Sequence, residues 1–264
     1  MNVREQSNSL NDSNNNVLVK IYNVLNILTP QIHSHLSDIS LIADAHARVV
    51  AELRLFINAQ KRVESYLNGN CHNDNELMFS IYYGRLADCY ELLNDHTGAI
   101  SSYCKGIELL DIANERYNSE ATNFCLGSFH YRLAKVFIKT HKYSNAEDSL
   151  NRAISVLVNI SAQSSDSVVN QLAADSYIEI ANIKVFQGDF TSALCCAIMA
   201  LSINEMIWRI KPSDSSCLEM CRAYSSISSI YGISGSHEKQ VMLIWQLRDL
   251  SQNAALVSST QNCH

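Results

Sequence analysis

Proline and glycine are scarce in this sequence of 264 residues, which has two prolines and eight glycines. Proline breaks helices and glycine weakens them, so a chain with so few of either favours long helices over a fold of strands and tight turns. Hydrophobic residues make up 47% of the chain, enough to form a sizeable core. The composition therefore predicts an all-α protein.

The sequence also lacks an excess of positive charge and a long apolar run. The net charge is −6 and the isoelectric point is near 5.8, which argues against a face that binds nucleic acid. No uninterrupted apolar run approaches the ~20 residues that span a bilayer. The first residues do not resemble a secretory signal. We therefore expect a cytoplasmic protein with no nucleic-acid partner and no membrane insertion.

Motifs for catalysis and metal binding are missing as well. The sequence has no glycine-rich phosphate loop, no His-Glu-x-x-His, no nucleophile elbow and no Cys-x-x-Cys. Most of the nine cysteines occupy apolar helical positions, and Cys217 and Cys221 share a helical face without a second pair of metal ligands. We expect a noncatalytic protein with no cofactor and no metal site.

What the sequence does contain is a pattern that returns every 47 residues, starting at positions 86, 133, 180 and 227. Each unit opens with a large residue followed by a small one: Leu86-Ala87, Leu133-Ala134, Ile180-Ala181 and Ile227-Ser228. A second cluster follows at a fixed offset: Ala99, Tyr103 and Gly106; Ala146, Leu150 and Ala153; Ala193, Ala197 and Ala200. Fixed periodicity of this kind indicates a solenoid of stacked units.

Turn-forming residues fall at the same point in every unit and divide it into two antiparallel helices. The turns are predicted near residues 95, 141, 188 and 235. The sequence therefore predicts four helical hairpins between residues 74 and 254.

The two ends of the chain do not follow the repeat. Residues 1–16 are polar and rich in Asn and Ser, which predicts a disordered tail. Residues 17–73 are interpreted as N-terminal helices that form a cap or a degenerate repeat, with a first helix ending at Thr29-Pro30. Residues 255–264 are interpreted as a C-terminal tail.

The repeated columns resemble the tetratricopeptide repeat. The residues that carry the match are Tyr83, Leu86, Ala87, Tyr90, Ala99, Tyr103 and Gly106; Leu133, Ala134, Phe137, Tyr143, Ala146 and Ala153; and Tyr177, Ala181, Gly188, Phe190, Ala193 and Ala200. The period exceeds the usual 34 residues, so the repeats look like the extended ones of kinesin light chains. In the third unit Lys184 replaces the aromatic residue of the other units.

The resemblance implies a right-handed α-solenoid whose first helices line a concave groove for a peptide or helix of another protein. The groove residues implied in this frame are Asp88, Ser128, Tyr131, Arg132, Lys135, Asp175, Ile178, Asn182 and Arg222. The Lys/Asn/Arg clamp of chaperone-binding repeats is absent from the matching positions. The implied function is a noncatalytic adaptor, and a homodimer is left open.

A second interpretation is a phosphopeptide-binding or ligand-sensing helical scaffold, broadly similar to the 14-3-3 proteins. Its candidate anion contacts are Arg85, Arg132 and Lys135, because guanidinium and ammonium groups pair with phosphate or carboxylate.

One histidine stands in a column of tyrosines. His130 occupies the position that Tyr83, Tyr177 and Tyr224 hold in the other units. We predict that His130 is packed and hydrogen-bonded in place of the tyrosine, rather than acting as a ligand or base.

Overall fold

A computed structural model describes residues 76–161 and 167–244, together with isolated positions between 47 and 57. All regular structure in this part of the chain is α-helical. The helices are α1 (Glu76–Leu92), α2 (His96–Tyr117), α3 (Glu120–Lys139), α4 (Tyr143–Ser161), α5 (Ser167–Phe186), α6 (Phe190–Ile210) and α7 (Asp214–Ile233). A further helix, α8, begins at residue 237 and is described as far as residue 244. The all-α class is confirmed.

The helices pair into antiparallel hairpins, and the turns lie where the sequence predicts them. The tails at 1–16 and 255–264 and the helix that ends at Thr29-Pro30 lie outside the described residues. Of the segment 17–73, only the isolated positions between 47 and 57 are described. The predictions for these segments remain predictions.

The chain divides into two compact units, residues 1–122 and 123–264. In the first unit α1 packs against α2. Phe56 is buried against α1, with its ring 5.4 Å from that of Tyr82, and the Tyr82 hydroxyl donates a hydrogen bond of 2.6 Å to the Phe56 carbonyl. In the second unit α5 packs against α4, α6 and α7.

The same backbone turn closes every hairpin. Asn94, His141, Gly188 and Gly235, spaced 47 residues apart, have φ values of 59°, 58°, 79° and 79°, in the left-handed region. In each turn the next N–H donates to the carbonyl five residues earlier; that of Asp189, for example, donates to Lys184 at 2.9 Å. This is the Schellman arrangement that ends many α-helices. The repeat read from side chains is therefore also a repeat of the backbone.

At Gly188 the free-energy cost of the left-handed backbone conformation can be measured without a steric contribution from neighbouring atoms. A Cβ added at Gly188 would have no atom within 4 Å, so a larger side chain meets no steric obstacle. We expect Gly188→Val to lower the free energy of unfolding by about 1–2 kcal/mol, because a branched residue is strained at positive φ. Gly188→Asn should cost less than half of that, since Asn94 already holds this conformation in the first turn. Denaturant unfolding of both variants measures the difference, and equal losses would contradict the explanation.

Small residues allow close approach between helices, and large ones fill the space beside them. Nine alanines in the repeat columns have no exposed surface: Ala87, Ala99, Ala134, Ala146, Ala153, Ala181, Ala193, Ala197 and Ala200. Leu150 and Leu157 are fully buried as well. Gly127 of α3 lies so close to α4 that an added Cβ would be 2.7 Å from Cγ of Leu157. The predicted alternation of large and small residues is therefore present in the packing.

Lys184 and His130 depart from the residue types of their repeat columns, and the structure places them in different environments. Lys184, in the aromatic column, forms an ion pair of 2.6 Å with Glu147 of α4. His130 is packed as predicted, with 6% of its surface exposed. The predicted hydrogen bonding is wrong for one ring atom, because Nδ1 is buried without a hydrogen-bond partner. The Nδ1 atom is bonded to Cγ at the near end of the imidazole, whereas the hydroxyl of a tyrosine lies at the far end of its ring.

Among the described helices, only α6 is long and apolar enough to cross a membrane by length and composition, with a mean hydropathy of 1.6. Ala193, Ala197 and Ala200 bury one side of α6 in the core. Only 28% of this apolar stretch is buried, so most of its surface lies outside the core. The absence of membrane insertion remains a prediction.

Candidate functional site

The first helices of the three hairpins in the second unit bring polar side chains together on one face. We call this the first-helix face and define it by Tyr131 and Lys135 of α3, Asp175, Ile178, Glu179 and Asn182 of α5, and Glu219 and Arg222 of α7. On α5 the residues 171, 175, 178, 182 and 185 recur at helical spacing, so they share one side of the helix.

Hydrogen bonds and ion pairs join the three helices across this face. Lys135 of α3 forms an ion pair with Glu179 of α5. The Gln171 side-chain amide donates to Asp175 at 3.2 Å and to Glu219 at 3.4 Å, which links α5 to α7. Arg222 donates to Glu219 at 2.7 Å. The charged groups are thus held in place by one another.

Carboxylates outnumber cations around Tyr131. Burial raises the pKa of the Tyr131 phenol, and Asp175 and Glu179 raise it further. The pKa of Asp175 is also raised, first by burial and then by Glu219 and Glu179, against the lowering effects of the Gln171 hydrogen bond and Arg222. With three carboxylates against Lys135 and Arg222, this part of the face carries an excess of negative charge.

Next to the charged cluster lies an open cleft of about 320 Å³ between α5 and α7. Its apolar walls are Ile178, Val185, Ile230 and Ile233, and its polar groups are Asn182, Arg222, Ser225, Ser226 and Ser229. An open space of this size, lined by both apolar and polar side chains, suits one side chain of a bound segment better than a large ligand.

The structure divides the predicted site residues between the two units. Asp88 and Arg85 lie on α1 in the first unit, where Asp88 accepts a hydrogen bond of 2.7 Å from the Tyr103 hydroxyl and Arg85 is exposed. In the second unit, Tyr131, Lys135, Asp175, Ile178, Asn182 and Arg222 belong to the first-helix face. Ser128 and Arg132 also lie on α3, where Ser128 is half-buried and Arg132 is exposed.

Sequence reasoning missed Gln171 and Glu219. Glu219 precedes Arg222 by three residues, a spacing that places both side chains on one helical face and could have revealed the pair. Gln171 had no such signal, because its bond to Glu219 joins residues 48 positions apart. Within residues 76–161 and 167–244, no group of three or more His, Cys, Asp or Glu side chains is arranged to hold a metal ion.

The comparisons with known proteins identify the repeat. Residues 81–109 match the family described as tetratricopeptide repeat. No curated protein matches the chain in sequence. The structure of BtubC (BKLC) from P. vanneervenii is similar with a TM-score of 0.56 at 12% identity, over 90% of this chain and 91% of that one.

Two further solved structures have the same fold. The kinesin light chain-like repeats of Podosopora anserina give a TM-score of 0.52 at 12% identity, over 80% of this chain and 94% of that one. Aspartyl phosphate phosphatase F from Bacillus subtilis gives 0.55 at 17% identity, over 79% of this chain and 50% of that one. At such identities the likeness shows the fold alone.

The chain therefore contains a tetratricopeptide-repeat match at residues 81–109, and its fold is similar to those of other helical-repeat structures, among them the kinesin light chain-like repeats. The resemblance drawn from the columns of residues is thereby confirmed. Helical-repeat folds of this class present extended surfaces.

Proposed function

We propose that the chain is a noncatalytic adaptor, acting in the cytoplasm, that binds a segment of a partner protein on the first-helix face. The observation that carries the proposal is the cleft between α5 and α7, with apolar walls, beside a cluster of carboxylates. An apolar side chain of the partner fills the cleft. A lysine or arginine of the same segment lies near Asp175.

An apolar side chain of the partner suits the cleft because Ile178, Val185, Ile230 and Ile233 line it and are otherwise in contact with solvent. Covering these walls removes apolar surface from water, which stabilises a complex by about 25 cal/mol per Å² of buried area. Asn182 and the three serines nearby offer hydrogen bonds to a polar backbone. An apolar centre with a polar rim is the usual arrangement of a protein interface.

The charge around the cleft favours a basic segment. Among the residues that the structure describes, the cations paired with this cluster are Lys135 and Arg222, which bind Glu179 and Glu219. A phosphate would have to displace Glu179 or Glu219 from its cation. The phosphopeptide interpretation, which relies on Arg85, Arg132 and Lys135, therefore gains no support from this cluster.

The partner segment can be identified by selecting peptides from a library displayed on phage against the purified full chain. We expect the selected peptides to share one apolar residue and at least one nearby lysine or arginine. Ile178→Glu should weaken their binding by about 10- to 100-fold, because it places a charge in the apolar cleft. Fluorescence anisotropy measures the dissociation constants.

A matched control separates the cleft from a general effect of added charge. Val158 is 41% exposed on α4, away from the first helices, so Val158→Glu should leave the affinity within about twofold. Equal affinity of the selected peptides for the wild-type chain and for Ile178→Glu would refute the site. Selection of acidic peptides whose binding depends on Arg132 would favour the phosphopeptide interpretation instead.

A further inference from the structure

The outward side of α6 carries an apolar stripe that the core does not use. Ile198, Met199, Met206 and Ile210 are between 41% and 62% exposed, and Cys195 is exposed beside them. The buried side of the same helix is made of Ala193, Ala197, Ala200, Asn204 and Ile207. The stripe therefore faces away from the hairpin core and away from the residues of the first-helix face.

The equivalent helix one repeat earlier shows that the fold does not require this stripe. Asn151, Arg152 and Asn159 of α4 precede Ile198, Met199 and Met206 by 47 residues, and all three are exposed. The same columns can therefore be polar in a helix of the same unit. The half-exposed apolar side chains of α6 are therefore not required by the repeat. Contiguous apolar patches on protein surfaces commonly mark interfaces.

The polar side chain at the centre of the stripe, Ser202, can be covered at little cost. The Ser202 hydroxyl donates to the Met199 carbonyl at 2.8 Å, so burial would not leave it without a hydrogen bond. Glu205 accepts a hydrogen bond of 3.2 Å from Tyr224 of α7. No charged residue occurs on α6 before Glu205.

The stripe is also nearly symmetric about Ser202. Ile198 lies four residues before it and Met206 four residues after it, so both stand one turn away on the same side of the helix. If two copies of α6 pack antiparallel about a two-fold axis at Ser202, Ile198 of each copy meets the partner's Met206. The small Ser202 side chain allows close approach at the axis, as small residues do in packed helices.

We propose that this outward face of α6 is a homodimer interface, formed by two copies that pack antiparallel about Ser202. The α6 helix is about 30 Å long and about 10 Å wide, so it offers about 300 Å² per copy. The two copies together would bury about 600 Å², which is below the ~1,000 Å² of a stable specific interface, so the dimer is weak and depends on concentration.

A second copy fits this surface better than a bilayer does. Helices that lie in a membrane surface usually carry several Lys or Arg side chains and large aromatic residues at the boundary. The only basic residue on α6 is Arg209, which pairs with Glu205 at 4.0 Å, and the chain has a net charge of −6. Ile198 and Met206 are complementary to each other about the two-fold axis, and the charged pair Arg209–Glu205 lies toward the C-terminal end of α6.

Sedimentation of the full chain from about 1 to about 500 µM tests the proposal. The wild-type chain should shift from monomer to dimer over this range. Ile198→Glu combined with Met206→Glu should raise the dissociation constant by about 100-fold or more. Asn151→Glu combined with Asn159→Glu, at the same columns of α4, should leave it unchanged. Circular dichroism checks that both variants keep their helices.

A second variant excludes a simple effect of charge repulsion. Ile198→Asn with Met206→Asn introduces the residues that α4 already carries at these columns, and it should give a monomer as well. A dimer that persists in either α6 variant would overturn the proposal. So would a wild-type chain that stays monomeric at the highest concentration, or one that sediments with neutral lipid vesicles through Ile198 and Met206.

A cysteine at the two-fold axis tests the geometry. In a Cys195→Ser background, Ser202→Cys should form a disulfide with its own copy under mild oxidation, because the axis places the two residues opposite each other. Ser155→Cys, at the same column of α4, should not. Dimers that form without this link would overturn the packing about Ser202.

Discussion

Replacing Leu157 by alanine is expected to lower the free energy of unfolding by about 3 kcal/mol, since removal of a buried leucine leaves a cavity. Leu157 has no exposed surface and packs with Ala153, Ile160, Val169 and Ala173. The alanines among these neighbours have side chains too short to fill the cavity, and Gly127 on α3, opposite Leu157, has no side chain at all. Urea unfolding followed by circular dichroism measures the loss.

The next residue along α4 provides the control. Val158 differs from Leu157 by one position but is 41% exposed, so Val158→Ala should cost less than about 1 kcal/mol. Similar decreases in the free energy of unfolding for both variants would show that α4 does not turn Leu157 toward the hairpin core.

A second large effect is expected from pH through His130. Burial, and secondarily the positive charge of Arg152, lower the pKa of His130 to about 4, against an ordinary value of 6.5. As the pH falls below about 6.5, His130 becomes protonated in the unfolded chain, whereas in the folded chain it stays neutral until about pH 4. The stabilisation by neutral His130 is therefore complete above pH 6.5 and is lost between about pH 6.5 and 4. At pH 5 the loss in the free energy of unfolding is about 2 kcal/mol.

The measurement compares stability at pH 7.5 and pH 5 in the wild-type chain and in His130→Tyr, which restores the tyrosine of the other repeats. We expect the variant to lose most of this pH dependence, because a tyrosine does not titrate in this range. His237 is exposed, so His237→Tyr should leave the pH dependence as it is. An unchanged pH dependence in His130→Tyr would contradict the assignment.

The hairpins could be predicted from the sequence because their signals are local and recur. Alanine columns, turn residues and a fixed period of 47 residues all indicate the same boundaries, and each confirms the others. The left-handed conformation could be anticipated at Gly188 and Gly235. At His141 the register of the repeat was the stronger signal, although histidine is among the non-glycine residues that adopt this conformation more often than most.

The candidate site was predictable only in part. The frame of the repeat placed Asp175, Ile178 and Asn182 on one side of α5, since helical spacing decides which residues share a face. The links that fix the charges, such as Gln171 to Glu219, join helices that are distant in sequence and depend on how those helices pack. The outward stripe of α6 was missed because its residues look like core residues until their exposure is known.

The turn that ends each first helix also bears on how the chain acquires its structure. A connection such as residues 187–189 is short, so little chain entropy is lost when its two helices meet. Most contacts within a hairpin join residues that are close in sequence, and proteins rich in such contacts fold within microseconds to milliseconds. Closing a hairpin therefore costs little entropy, and the closed hairpin becomes stable when the next repeat stacks on it.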